Sequence, residues 1–130
     1  MAIQLSTTLR NARNDQVETH IGASPTLEIR TGAQPANCAA ADAGTLLVSM
    51  ALPADWRTAA ASGTSNKNGT WQGTAGATGT AAHFRIKQGA TCHMQGTVGM
   101  GSGDVSLDNT SIASGQVVTA TQFDIAEPNA

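Results

Sequence analysis

The chain has 130 residues, of which 12% are charged and 3% aromatic, with no tyrosine and a formal net charge of -2. Seven basic residues scattered among nine acids give neither the phosphate-neutralising patch nor the stacking aromatics that nucleic-acid binding uses, so no nucleic-acid partner is expected. No apolar run reaches the ~18 residues of a membrane helix, and an apolar fraction of 40% with little net charge argues against disorder.

The length is that of one domain, with enough chain for a single core. Met1 to Ser6 shows neither the basic start nor the apolar stretch of a signal peptide. The expectation is a protein made and kept in a cytosol, or one leaving by a route that needs no signal. On that compartment argument Cys38 and Cys92 are expected as reduced thiols packed as small hydrophobes, with a single bridge as the alternative.

In chain order, Leu5, Leu9, Ala12, Gln16/Val17 and Ile21 recur every three to four residues, the period of one helix face. Ser6 or Thr7 serves as N-cap, and Gly22 followed by Pro25 is a stop, which predicts a helix over 6–21. Its stripe is narrow and must lie on the sheet or on a neighbouring subunit. After Pro25 the period changes to two. Leu27 and Ile29 alternate with Glu28 and Arg30 in a half-buried strand. Residues 33–43 read as a loop of small side chains. Residues 44–52 put Leu46, Val48, Met50 and Leu52 on one face and read as a central strand.

The polar run 62–69 reads as a surface loop, 70–72 as a short strand and 73–80 as a turn. Ala82, Phe84 and Ile86 alternate with His83, Arg85 and Lys87, a strand buried on one face. It pairs as a hairpin with 91–98, where Cys92 and Met94 face in and His93, Gln95 and Thr97 face out. Residues 99–103 are a glycine-rich tip. Val105 and Leu107 make a short strand, and 116–125 the last one, with a slip of phase between Val118 and Phe123 that suggests a bulge. One helix and about seven short strands predict a mainly β fold, a β-sandwich or jelly-roll-like domain with one N-terminal helix. The expected division is an arm over 1–24, the sandwich over 25–126 and a tail over 127–130.

Catalytic and cofactor chemistry find little footing. Cys92 and His93 are neighbours on a strand and point to opposite faces, so they do not share a metal. His83 and His93 share an outer face but lack a third ligand, and His20 and Cys38 add no convergent set. A Cys92–His83 nucleophile pair would put thiol and imidazole on opposite faces. Asp104 and Asp108 read as turn residues, with a loose calcium site as the other reading. No enzyme, cofactor or metal is expected. Trp71 follows a strand signal and reads as core, whereas Trp56 is open between core and an exposed anchor.

Leu5–Arg13, Ile21–Pro25, Ile29–Cys38, Leu52–Trp56, His83–Ile86 and Asn109–Gln116 together resemble a group of small virion proteins of tailed bacteriophages, over nearly the full length. These are similar to capsid cement or decoration proteins, commonly β-sandwich or jelly-roll modules bound outside the shell. The resemblance implies a structural role, with the major capsid protein as partner, assembly in the host cytoplasm, a place on the outer surface of the virion, and a homo-oligomer, dimer or trimer. A tail, baseplate, receptor-binding or carbohydrate-binding β-module is the alternative. The residues expected to meet a partner are Leu5, Leu9, Arg10, Arg13 and Trp56.

Overall fold

A computed structural model describes residues 3–127; of the tail expected at 127–130 only Glu127 lies within them. The fold is mainly β, with 43% of the described residues in strands or isolated bridges and 12% in one helix. Helix α1 (Thr7–Ile21) starts at Ser6, whose Oγ accepts the Leu9 N–H at 3.2 Å. It stops at Gly22, whose φ of +94° favours glycine and whose N–H donates to Glu18 O.

The strands are β1 (Thr26–Arg30), β2 (Leu46–Ala51), β3 (Thr64–Asn66), β4 (Trp71–Thr74), β5 (Gly79–Thr80), β6 (His83–Gln88), β7 (Thr91–Gly99), β8 (Val105–Leu107), β9 (Ser111–Ile112) and β10 (Val117–Ala126). Eight form one curled sheet in the order β2-β1-β6-β7-β8-β10-β3, with β4 also paired to β10, while β5 pairs with β9. All ladders are antiparallel except β7 with β8. Strand β7 turns the corner of the sheet. Residues 91–97 pair with β6 and residues 98–99 with β8. The bulge expected in the last strand is present, between Ala120 and Gln122.

The curl brings β4 against β2. A Cβ on Gly73 would lie 3.0 Å from Val48 Cγ1 and 3.1 Å from Met50 Cγ, so a larger residue here would push the β2 side chains back by a few tenths of an ångström. Strand β2 is therefore not the central strand expected. It ends the hydrogen-bonded order, and only part of its second face is covered. Val48 and Met50 face the core, and Leu47 is buried where its carbonyl accepts the Gly76 N–H, while Ser49 and Ala51 are exposed. Leu46 is also left partly exposed, beyond the register slip at Ile29/Arg30. Strand β3 arises inside the polar run read as a loop, because β10 supplies its partner: Asp124, Ile125 and Ala126 pair with Asn66, Ser65 and Thr64.

Leu27, Ile29, Phe84 and Ile86 face Val105, Leu107, Val118 and Phe123 across the core. The chain has only two tryptophans and two phenylalanines, and all four form one row. Trp56 meets Trp71 at 6.0 Å between ring centroids, Trp71 meets Phe123 at 5.4 Å, and Phe123 meets Phe84 at 5.9 Å. Trp56 Nε1 donates to Gly22 O and Trp71 Nε1 to Asn68 O, so neither indole is buried unpaired.

The helix does not bury the stripe its periodicity suggested. Leu9 is 46% exposed, whereas Asn14 is completely buried. Val17 and Ile21 do reach the core, but the rest of the inner face is polar and clasps the segment 57–63. Asn14 Nδ2 donates to Gly63 O at 2.9 Å and to Ile125 O at 2.7 Å, while the Arg57 guanidinium donates to the Asn14 carbonyl at 3.0 Å and to Asn14 Oδ1. Asn11 accepts the Gly63 N–H, Asp15 the Ala60 N–H, and Glu18 the Arg57 N–H at 2.6 Å. Burial pushes the Glu18 carboxyl above the usual carboxylate range, against the opposing pull of the Arg57 amide. Truncating Asn14 removes its hydrogen bonds to the Gly63 and Ile125 carbonyls and leaves a buried Arg57 guanidinium N–H without its Oδ1 acceptor. Asn14→Ala is expected to cost about 3 kcal/mol in urea denaturation at unchanged slope, and a loss near zero would show that the clasp does not hold the helix.

Candidate functional site

Strand β6 is buried on both faces. Phe84 and Ile86 enter the core as expected, but His83, Arg85 and Lys87 on the opposite face are also buried. Their cover is the loop over residues 31–45, which lies across β1, β6 and β7. The small side chains of Ala39, Ala40 and Ala41 let its backbone come close enough to be bound directly. Arg85, only 2% exposed, donates to Asn37 O and Ala40 O, each at 3.0 Å, to Asp42 Oδ1 at 2.9 Å and to Gln95 Oε1 at 3.1 Å. Gln95 Nε2 in turn donates to Pro35 O at 2.7 Å. His83 Nδ1 lies 2.9 Å from Gly32 O, and its Nε2 is buried without a partner.

The loop carries one carboxylate into this strip. Asp42 accepts from Lys87 Nζ at 2.6 Å and lies 3.3 Å from Arg30, while Glu28 bridges Lys87 at 3.2 Å and Arg30 at 3.0 Å. Three cations thus face two carboxylates, each cation paired and the guanidinium of Arg85 largely taken up by loop carbonyls. The strip works as a fastener for the loop and leaves no open anion cradle.

The loop is also held covalently. Cys38 is bonded to Cys92, with Cα atoms 5.3 Å apart, which overturns the expected pair of reduced thiols. The inward direction expected for Cys92 fails for a local reason. The β6–β7 register slips between Ile86 and Lys87, so Met94 pairs with Ile86 and stays on the core side while Cys92 pairs with Lys87 on the loop side. A bulge at His93 reverses the phase. No thiol remains for a Cys92–His83 nucleophile pair.

The histidines are rearranged as well. His83 and His93 do not share an exposed face, since His83 is under the loop. His93 instead meets His20 of α1, ring centroids 5.5 Å apart, in a groove of about 320 Å³ with Arg13, Val17 and Met94. Among the described residues no three His, Cys, Asp or Glu side chains converge on one point. Asp104 accepts the Thr97 N–H at 2.9 Å across the glycine-rich tip, and Asp108 accepts the Thr119 N–H of β10 at 3.1 Å, so each carboxylate braces a strand rather than its own turn.

The residues expected to meet a partner separate into two groups. Leu9 is exposed, Ile3 ahead of the helix more so at 72%, and Leu5 is half-buried. Arg13 is exposed but salt-bridged to Glu127 at 2.7 Å. Arg10 is turned inward, its Nε donating to Glu127 O. Trp56 is a correction. It is fully buried at the head of the aromatic row and offers no surface. The polar face of β6 and its loop were missed as a unit. The signal was there in Arg85 and Lys87, two long cations on a strand opposite a loop with one aspartate.

Comparison with known protein families, with curated proteins and with solved structures finds no match for this chain.

Two predictions test the fastener. Lys87 first, then Arg85 and Arg30, outweigh burial and hold the Asp42 carboxyl below the usual carboxylate range. Its contribution is then complete above about pH 4, the unfolded value, and is lost as pH falls through the lower folded value. The melting-temperature gap between the wild type and Asp42→Asn should be constant above about pH 5 and close below about pH 4. An unchanging gap would contradict the assignment. The bridge closes a sequence separation of 54 residues, for which the chain-entropy model gives about 4 kcal/mol. Replacing Cys38 and Cys92 together by serine should lower urea stability by up to that amount while the far-ultraviolet spectrum stays mainly β.

Proposed function

We propose that the chain is a structural virion protein, a cement or decoration protein that binds the outer surface of a tailed phage's capsid shell. The observation that carries the reading is the inverted helix. Helix α1 is fixed from below by polar side chains, and it turns Leu9 outward; Ile3, in the segment before the helix, is exposed as well. A helix that buries asparagine and exposes leucine is poorly matched to water but well matched to a second protein. Few surface charges need desolvating there, and interface cores are depleted in Lys, Glu and Asp. The resemblance of the sequence to phage virion proteins supplies the partner, the major capsid protein, and a homo-oligomeric form, dimer or trimer.

The carbohydrate alternative rested on an exposed tryptophan as a stacking platform, and both tryptophans are fully buried. A tail or baseplate position uses the same outward helix and differs in location alone.

The test is reconstitution. Purified protein added to undecorated phage capsids should bind in fixed proportion to the shell subunit and raise the melting temperature of the particle. Leu9→Asp, a change at an exposed position, should weaken binding at least about tenfold while the free protein melts as before. Failure to bind the shell, or a Leu9→Asp protein that binds as well as the wild type, would overturn the reading.

A further inference from the structure

The curled sheet is not closed all the way round. Strand β7 pairs with β6 over Thr91–Thr97, and its opposite edge gains β8 only at Val98 and Gly99. Strand β10 over Asp124–Ala126 pairs with β3 alone. Two strand edges therefore run beside a common groove of about 340 Å³, with Phe84, Met94, Phe123 and Ile125 along its floor and Asp104 and Asp124 at its mouth.

The backbone groups on those edges point into the groove. The Thr97 N–H turns away from β6 to donate to Asp104, and the ladder runs unbroken from Met94 to Thr97, so the peptide groups of Gln95 share that direction. On β10, Phe123 O accepts the Lys67 N–H and the Glu127 N–H donates to Gly63 O, both toward β3. The alternation then turns Asp124 and Ala126 the other way, toward the groove. Such an edge is a template for another strand.

Charge selects the strand. Asp104 accepts from Thr97, and Asp124 from the Gln122 amide, and neither has a cation within ion-pair distance among the described residues. A strand lying on this floor would turn alternate side chains down onto Met94 and Ile125 and the others out past the two carboxylates.

We infer that the groove between β7 and β10 binds an extended peptide segment of a partner protein, one that alternates apolar and basic side chains, by adding it as a strand. The inference does not depend on the virion reading, because its test contains no capsid.

The probes are two labelled peptides of about eight residues, the span of a typical edge strand, one alternating valine with lysine and one alternating valine with glutamate. The lysine peptide should bind in fluorescence anisotropy and the glutamate peptide should not. Binding should weaken at least about tenfold in Asp104→Asn/Asp124→Asn, and should fall steeply as salt rises. Asp104 also braces the turn at Thr97, so Asp124→Asn alone, at an exposed position, serves as the second variant, with a smaller loss in the same direction. Hydrogen exchange should slow at the amides of Gln95, Asp124 and Ala126 when the lysine peptide is bound. No binding, equal binding of both peptides, or protection confined to α1 would overturn the inference. So would sedimentation showing that a second copy of the chain occupies the groove.

Discussion

Four aromatic rings in one row set the geometry on which everything else in this molecule depends. Trp56, Trp71, Phe123 and Phe84 come from a loop and from strands β4, β10 and β6, and their contacts fix how far apart the walls of the curled sheet stand. The other apolar core side chains are all smaller, and the two large buried arginines, Arg57 and Arg85, are engaged with backbone carbonyls instead. A composition that looks poor in aromatics is thus concentrated where each ring touches the next. Large-to-small changes in such a row cost several kcal/mol, because the aliphatic neighbours cannot close the gap.

Around this core the protein uses polar groups where most domains of its size use apolar ones. The inner face of α1 is held chiefly by Asn14, Arg57 and Glu18, and the outer face of β6 by Arg85, Lys87 and Asp42. Both arrangements bind backbone directly, the carbonyls of residues 37 and 40 in one case and the amides of residues 57, 60 and 63 in the other. Irregular segments are thereby given the fixed positions that regular ladders give strands. The low charge content and the buried charges are consistent with each other: most of the few cations are placed where they organise a loop or a helix.

Much of the strand pattern was legible because alternation reports burial directly. The helix over 6–21, the hairpin of β6 and β7 and the bulge in β10 all follow from periodicity and turn residues. What periodicity could not carry was burial by polar partners. Leu5, Leu9 and Ala12 gave a helical stripe, yet the hydrogen bonds of Asn14 outweighed it and turned Leu9 to solvent. His83, Arg85 and Lys87 alternate like a solvated face, and only the loop above them makes them interior. A single extra residue at His93 moved Cys92 to the other side of the sheet and made its bond to Cys38 geometrically available, a change of phase with no signature in composition. Of the residues expected to meet a partner, Leu9 is exposed although periodicity put it on the stripe to be covered, and Trp56 is the end of the aromatic row.

The bond between Cys38 and Cys92 has a consequence for the chain as a connected object. It ties the start of β7 to the loop after β1, so that β2, β3, β4, β5 and β6 all lie inside one covalent ring. A protease that cuts the exposed backbone near Ser62 would not release a fragment. The two pieces would stay joined through sulfur, each still carrying its share of the sheet, and the molecule would keep its mass apart from one added water until a reductant reached the bridge.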